Sequence, residues 1–339
     1  MSKIQLSTKT DELNLNDFIE PVISELSLVE KQLNTNLIDD NLFVNELLSM
    51  IFKAGGKRIR PLLVLHSAWA TNLSEELNDL QIILAVLTEL IHTASLVHDD
   101  ILDSAAVRRG SQTINKRFSD RLAVLLGDLL FAQASICLSK IMSPVIVGIY
   151  GQVLGDLCAG EIQQMKQQFS TTISWQDYIK KSISKTGSLF AAGTHSAAIL
   201  NNANNETVMA LKNYGLHLGL CFQIVDDLLD FTGDSTTLGK EAGSDLKSGI
   251  ITAPTLFVLE RGDKVANKLE KLISTKEISE PESLQIALDL IKNNGGIEST
   301  IDLAKEYGQK AKDNLKDLPD SIYRDALARF TDYVLKRVN

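Results

Sequence analysis

Apolar side chains recur along this chain at spacings of three and four residues, which is the period of an α-helix. The clearest stripe lies between about residues 206 and 231, where Leu211, Leu218 and Val225 fall on one face. Similar stripes predict further helices at about 43–54, 77–103, 116–138, 142–168, 174–201, 279–293, 296–316 and 320–337. No segment alternates convincingly between apolar and polar residues, so the pattern predicts an all-α protein built from long helices.

The apolar residues are spread evenly along the chain, with no change of composition near the middle of its 339 residues. We therefore predict one large domain over residues 29–339. Residues 1–28 are mixed polar and acidic and form an N-terminal extension that could add a peripheral helix. They suit neither a secretory signal nor an Arg-rich transit peptide. Polar residues interrupt the apolar runs before ~18 residues, so we expect a protein that is not integral to a membrane.

Charge and cysteine usage narrow the class of partner and the compartment. The formal net charge is -9, which disfavours nucleic acid as the main partner. Any anionic ligand must then be held by a few local cations or by a metal ion. Cys137, Cys158 and Cys221 lie far apart inside apolar stretches and form no CxxC pair. This pattern predicts buried thiols in a reducing compartment such as the cytoplasm.

The form DDxxD occurs twice, each time where a long apolar helix is predicted to end. The first cluster is Asp99, Asp100 and Asp103, and the second cluster is Asp226, Asp227 and Asp230. At ~100° per residue, the three carboxylates of a cluster fall within an arc of ~100° on one helix face. They repel one another and oppose the helix dipole by ~0.3–1 kcal/mol each. One such cluster is more often a solvated helix end, but two beside apolar sequence favour a cavity that binds Mg²⁺.

Cations and amides gather near these clusters in the sequence. Lys57, Arg58 and Arg60 follow two glycines, whose backbone can approach a ligand closely, although the spacing is not that of a Walker loop. Arg108 and Arg109 follow the first cluster, and Lys240 follows the second. Spacing also places Gln223 on the face of Asp227, and His92 on the face of Asp99. Taken alone, each of these is more often a surface charge or a core residue.

With these motifs in place, the chain resembles the trans-isoprenyl diphosphate synthase family, also called polyprenyl synthetases, from about Phe43 to its end. Residues 56–61 match the family element GKRxRP, residues 99–110 match its first aspartate-rich motif with paired arginines, and residues 222–230 match its second. The resemblance implies a single-domain bundle of long helices around a central cavity, with residues 29–339 as the catalytic domain. It implies a Mg²⁺-dependent prenyltransferase that joins isopentenyl diphosphate to an allylic diphosphate, and it implies a homodimer.

The resemblance also assigns roles to single residues. Isopentenyl diphosphate would be bound by Lys57, Arg60, His92 and Arg109. The allylic diphosphate would be bound by Arg108, Lys185, Thr186, Gln223 and Lys240. Mg²⁺ would lie between the six aspartates and the phosphates. One departure is Ile250, which stands where the family often has a lysine and leaves the role of that cation unfilled.

Two features of the sequence bear on the length of the product. Residues 249–254 and 243–246 resemble the long-chain synthases of cyanobacteria and plastids, which make side chains for prenylquinones, so the plastid stroma is a second expected compartment. Ala94 and Ser95 are small and lie one turn before the first cluster, where short-chain relatives tend to place an aromatic residue. We therefore expect an open tunnel and a long product that is delivered to a membrane, with Ile91 and Phe131 deeper in the tunnel. Small residues that serve only helix packing are the alternative.

Other functions remain to be weighed. A shorter, geranylgeranyl product and a non-catalytic subunit of a heteromeric synthase are both compatible with the family resemblance. Glu89 and His92 form an ExxH pair, which is typical of di-iron helical bundles, but no second ExxH exists in the chain. A class I terpene cyclase would share one DDxxD and the helical fold, but it would resemble neither the GKRxRP element nor the second DDxxD.

Overall fold

The computed structural model describes residues 14–35, 41–53, 55–72, 74, 76–108, 110–232 and 242–338. Its first eleven α-helices are α1 (Leu15–Ile19), α2 (Ile23–Thr35), α3 (Leu42–Lys53), α4 (Ile59–Thr71), α5 (Asp79–Leu102), α6 (Ile114–Arg117), α7 (Asp120–Ile141), α8 (Pro144–Gln167), α9 (Trp175–Ser182), α10 (Ser188–Leu200) and α11 (Asn205–Thr232). The others are α12 (Ser244–Lys247), α13 (Ala253–Leu259), α14 (Lys264–Ser274), α15 (Pro281–Lys292), α16 (Gly296–Asp313) and α17 (Ile322–Lys336). The predicted all-α fold is confirmed.

Several described features were not predicted from the apolar pattern. Helix α4 is buried on nearly all sides, so its apolar residues form no single stripe that periodicity could detect. Helices α13 and α14 are short and follow the loop after the second acidic cluster. A two-stranded antiparallel hairpin pairs β1 (Val107–Arg108) with β2 (Ser111–Gln112), and Gly110 supplies the positive φ of its turn. Two-residue strands are too short to show alternation.

The helix predicted over residues 174–201 contains an irregularity at the site. Helices α9 and α10 are joined by a π-helical turn over Ile183–Gly187, which holds Lys185 and Thr186. Single π-helical turns inside helices occur often at functional sites. The turn is invisible to periodicity, because it changes the helical register over only five residues.

The N-terminal helices pack into the same core as the rest of the chain. Phe18 stacks on Phe330 of α17, and Val22 and Val29 are fully buried. Helix α2 runs without interruption across residue 28. The division of the chain at residue 28 stays a prediction, and residues 1–13 lie outside the described part.

Close packing around α5 and α11 brings the ends of these two long helices to one cavity. Helix α5 packs against α4, α7 and α10, and α11 packs against α10 and α16. Glycines allow the close approach of α11: a Cβ on Gly215 would lie 2.4 Å from Thr194 Oγ1, and one on Gly219 would lie 2.6 Å from the Gly187 Cα. Substituting either glycine would force the two helices apart.

Helices α7 and α8 expose much apolar surface. Together with α5 they are long and apolar enough to cross a membrane, judged by length and composition alone. The most apolar part of α5 is 67% buried, but those of α7 and α8 are only 33% and 17% buried. Cys158 is exposed on α8, so the prediction of a buried thiol is wrong there, whereas Cys137 and Cys221 are buried as predicted.

Candidate active site

A cavity of about 680 Å³ lies where the C-terminal parts of α5, α11 and α17 meet the π-helical turn. Nine residues predicted to form the site line it: Lys57, Arg60, His92, Ser95, Asp99, Arg108, Lys185, Thr186 and Asp226. The cavity therefore brings one member of each acidic cluster together with the predicted cations. Arg109 and Lys240 lie outside the described residues.

The first acidic cluster is divided between two directions. Asp99 faces the cavity, and burial raises the pKa of its carboxyl to about 6, although the nearby Lys185 ammonium opposes that rise. Asp100 is 6% exposed and accepts a 2.6 Å hydrogen bond from Arg108 Nε, on the side of a neighbouring cavity beneath α3. Asp103 is exposed at the C-terminal cap of α5. The spacing predicted that the three carboxylates would point in one direction. In the structure they do not.

The second cluster is more deeply enclosed. The Asp226 carboxylate pairs with the Arg337 guanidinium at 2.9 Å, and burial raises the pKa of its carboxyl. Asp227 is 3% exposed and accepts hydrogen bonds from the Tyr178 hydroxyl at 2.7 Å and from Gln223 Nε2 at 2.8 Å. Burial raises the pKa of Asp227 to about 6.

Asp230 lies one turn further along α11. Its carboxylate accepts a hydrogen bond from the Ser244 hydroxyl at 2.7 Å and another from the Asp245 backbone N–H at 3.2 Å. Burial and the negative charge of Asp245 raise its pKa to about 6. The start of α12 thus holds this carboxylate in place.

These carboxylates suit a divalent cation that is bound partly by the protein and partly by substrate oxygens. Among the residues that the structure describes, no three acidic, His or Cys side chains lie close enough to enclose a metal ion by themselves. Mg²⁺ usually takes only one or two carboxylates and completes its ligands with waters and substrate phosphates. Buried carboxylates with raised pKa values gain most from a nearby cation, because it offsets their desolvation. The donor set therefore fits the predicted metal.

A hydrogen-bonded chain connects the π-helical turn to the second cluster. The Thr186 hydroxyl donates to Gln223 Oε1 at 2.6 Å, and Gln223 Nε2 donates to Asp227. Beside it, Lys185 Nζ donates to Glu161 Oε1 at 2.6 Å while its charge acts on Asp99. The turn thus presents an ammonium group and a hydroxyl group to the cavity, which suits an anionic ligand.

The GKRIRP element contributes the opposite wall of the cavity. Gly55 has a φ of +76°, which lets the chain turn from α3 into α4. Lys57 Nζ donates to the Tyr333 hydroxyl at 2.9 Å, and the Arg60 guanidinium lies 5.0 Å from the Phe190 ring centre. Both cations therefore lie against aromatic side chains at the edge of the cavity.

Sequence reasoning missed several residues that line the cavity. Arg337 and Tyr333 come from the last helix, where no motif marks them. Glu89 was noted only as part of an ExxH pair, but its carboxylate accepts a 3.0 Å hydrogen bond from Arg58 NH1. Lys181 is not part of this lining, but its positive charge acts on Asp227, and it could have been found because it precedes Lys185 by four residues.

The residues predicted to control product length are only partly at the cavity. Ser95 lines it and donates a 2.8 Å hydrogen bond to the His92 carbonyl. Ala94 and Ile91 are fully buried in the core, and Phe131 packs edge-on against His98. The roles of Ala94 and Ser95 in setting product length stay predictions.

Comparison with known proteins agrees with this geometry. Residues 42–291 match the family model described as polyprenyl synthetase. The chain is 40% identical to a prenyl transferase of Cyanophora paradoxa over 96% of this chain and 99% of that one. It is 39% identical to the chloroplastic solanesyl-diphosphate synthase 2 of Oryza sativa subsp. japonica over 97% and 81% of the two chains.

A solved structure shows the same fold. It is the polyprenyl synthase of Caulobacter crescentus CB15 complexed with calcium and isoprenyl diphosphate, which superposes with a TM-score of 0.88 at 30% identity and covers 95% of this chain and 97% of that one. The family model, the relatives and the fold agree with the family that the sequence motifs resemble. The chain therefore belongs to the polyprenyl synthetase family and is a trans-prenyltransferase.

Proposed function

We propose that the chain joins isopentenyl diphosphate to an allylic diphosphate in repeated head-to-tail steps and makes a long all-trans-polyprenyl diphosphate. The observation that carries this proposal is the single cavity lined by Asp99, Asp226 and five of the predicted cationic or imidazole side chains. The name of the Oryza relative, a solanesyl-diphosphate synthase, supports a long product over a geranylgeranyl product. Prenylquinone side chains are the use that this product length suits.

We further propose Mg²⁺ as the divalent cation. The Caulobacter enzyme was crystallised with calcium and isoprenyl diphosphate, which supports divalent cations at the corresponding site here. Asp99, Asp103, Asp226, Asp227 and Asp230 would hold the ions, whereas Asp100, the sixth aspartate predicted as a ligand, accepts a hydrogen bond from Arg108. When bound, they would supply positive charge that stabilises the leaving diphosphate.

The side chains that line the cavity would bind the allylic diphosphate and protect the allylic cation. Lys185 and Arg108 would bind the allylic diphosphate and stabilise the charge that develops when its C–O bond breaks. Leu96 and Phe222 line the same cavity and would keep water from the allylic cation. The isopentenyl double bond then attacks, and the proton that is lost goes to the departing diphosphate. No protein nucleophile is needed.

The test is an assay of the purified chain with labelled isopentenyl diphosphate, Mg²⁺ and each allylic primer, followed by sizing of the dephosphorylated products. We expect long products with the wild type and with Asp289→Asn, which changes an exposed aspartate on α15. Asp226→Asn should lose activity. If the wild-type chain makes no product with any primer, the proposal is wrong and the chain is better explained as a non-catalytic subunit.

Product length has its own test at Ser95. Because Ser95 lines the cavity one turn before Asp99, Ser95→Phe should obstruct the growing chain and shorten the product. Ala94→Phe should act similarly, but it also overpacks a fully buried position. An unchanged product length in Ser95→Phe would remove this residue from the tunnel.

We propose that α7 and α8 form a homodimer interface rather than membrane spans. These helices expose several large apolar side chains: Val124, Leu125, Ile136, Val145, Val147, Ile162 and Met165. Exposed apolar faces of this kind mark surfaces that bind another protein or a membrane. Ile162→Glu should give monomers in sedimentation velocity without detergent, whereas Ile322→Glu, at a similarly exposed position on α17, should leave the dimer intact. A wild-type monomer, or wild-type protein found only with membranes, would contradict the proposal.

We propose the cytoplasm, or the plastid stroma for a plastid-encoded gene, as the compartment. The buried free thiols of Cys137 and Cys221 suit a reducing environment. From there the product would be delivered to a membrane. Cell fractionation followed by immunoblotting would show whether the chain is found in the soluble fraction.

A further inference from the structure

Arg58 of the GKRIRP element is buried, and its charge is neutralised by carboxylates inside the protein. Its side chain is 7% exposed, and its backbone has a left-handed φ of 48°. Arg58 Nε donates to Glu30 Oε1 at 2.5 Å, and Arg58 NH1 donates to Glu89 Oε1 at 3.0 Å. Arg58 NH2 donates to the Phe52 carbonyl at 3.1 Å and to Glu30 Oε2 at 3.3 Å. Two carboxylates and one carbonyl therefore surround one guanidinium.

This cluster joins three elements at the edge of the cavity. Glu30 belongs to α2, and Glu89 belongs to α5, three residues before His92. Arg58 and Glu89 line the cavity themselves, as do Lys57 and Arg60 on either side of Arg58. The guanidinium thus connects α2 to the start of α4 and to α5. The start of α4 and α5 carry residues that are predicted to bind isopentenyl diphosphate. Glu30 precedes the segment 42–291 that the family model matches.

Glu30 has a specific effect on Arg58. Burial alone would lower the pKa of Arg58, but the hydrogen bonds and negative charges of Glu30 and Glu89 raise it above its ordinary value. Without Glu30, the guanidinium would lose both Nε and NH2 interactions with a carboxylate and keep only Glu89 and a carbonyl. A partly unpaired buried charge is costly, so the side chain would turn toward water or toward the cavity. The left-handed φ of Arg58 is unfavourable for a residue other than glycine and is maintained by these contacts. The backbone around Arg58 would therefore move if its side chain moved.

We propose that Glu30, acting through Arg58, is a positioning residue that holds Lys57 and the first turn of α4, which carries Arg60, in the geometry that binds isopentenyl diphosphate. This inference rests on the proposed function, because the two substrates must bind to different sets of residues. The residues predicted to bind the allylic diphosphate include Lys185 and Thr186 of the π-helical turn and Gln223 of α11. In the part of the chain that the structure describes, the Arg58 side chain instead donates its hydrogen bonds to α2, α3 and α5. Glu30 should therefore affect the binding of one substrate and not of the other.

The matched pair of variants is Glu30→Gln and Glu25→Gln. Glu25 lies on the same helix and accepts a 3.0 Å hydrogen bond from Trp69 Nε1 of α4, so Glu25→Gln likewise removes a negative charge from a contact between α2 and α4. Steady-state rates of one condensation are measured while one substrate is varied and the other is saturating. We expect Glu30→Gln to raise KM for isopentenyl diphosphate about tenfold, equivalent to about 1.4 kcal/mol. KM for the allylic substrate should be unchanged, and Glu25→Gln should change neither value.

A double-mutant cycle tests whether Glu30 acts through Arg58. Arg58→Gln should also raise KM for isopentenyl diphosphate, and Glu30→Gln combined with Arg58→Gln should raise it little further. Additive effects of the two substitutions, an equal rise of both KM values, or a rise in Glu25→Gln would each overturn the inference. An inactive wild type would instead contradict the proposed function, so the two failures are distinguishable. Thermal melting of each variant identifies any that fails to fold, and Glu30→Asp, which retains the charge, should recover part of the affinity.

Discussion

Replacing Asp227 by Asn should stabilise the metal-free protein and abolish its activity. Asp227 is 3% exposed, and burial raises the pKa of its carboxyl from 3.8 to about 6. Its two hydrogen-bond donors, Tyr178 and Gln223, do not remove the cost of burying the charge. A carboxylate placed to bind a metal ion therefore destabilises the fold when the ion is removed. Asparagine keeps the shape of the side chain without the charge.

The magnitude follows from the pKa shift. A shift of one unit corresponds to about 1.36 kcal/mol, so a rise from 3.8 to about 6 corresponds to about 3 kcal/mol. Because the folded-state pKa is raised, the folded protein binds the proton more tightly than the unfolded chain does. The cost is absent below pH 3.8, grows as the pH rises to about 6, and is fully present above pH 6.

The assay is urea unfolding of the wild type and of Asp227→Asn in EDTA at several pH values between 4 and 7.5. The difference between the two proteins isolates Asp227, because all other titrating groups are common to both. We expect the difference in unfolding free energy to change by about 2–3 kcal/mol in favour of the variant between pH 4 and pH 7.5, because part of the cost is already present at pH 4. Mg²⁺ should stabilise the wild type more than the variant.

The refuting result is a difference that does not vary with pH. It would mean that the Asp227 carboxylate is already satisfied in the metal-free protein by Tyr178, Gln223 and the nearby Lys181. Retained activity in Asp227→Asn would separately exclude this carboxylate as a metal ligand. Asp289→Asn serves as the control for a general effect of lowering the negative charge.

Three further predictions concern other parts of the chain. Lys185→Gln should raise KM for the allylic diphosphate at least tenfold without changing KM for isopentenyl diphosphate in steady-state assays, because the ammonium faces the cavity beside Asp99. Burial lowers the pKa of His66 to about 4, so the wild type should lose stability as the pH falls from 6.5 to 4, and urea unfolding of His66→Gln should lack about 3 kcal/mol of that loss. Gly215→Ala should lower the melting temperature, at a cost of at least about 1–3 kcal/mol, because its Cβ would lie 2.7 Å from the Ala191 Cα.

Most of the long helices could be predicted from the sequence, because a helix with one buried face has a local periodic pattern of apolar residues. The stripe over residues 206–231 appears as α11 with ends only one residue away, because a helix with one buried face shows its period in any short window. Helix α4 was missed for the opposite reason, since burial on nearly all sides removes the period. The π-helical turn at Lys185 was also missed, because it depends on the neighbouring packing.

By itself, the sequence determined the helices, the two acidic clusters and the cations that accompany them, because each is a pattern of residues close together in the chain. Only the tertiary structure decided that Asp99 faces the cavity while Asp100 pairs with Arg108, because the direction of a carboxylate depends on which helices surround its own. It also decided that Glu30 and Glu89 neutralise Arg58 and that Arg337 reaches Asp226. These partners are far apart along the chain, so no local pattern contains them.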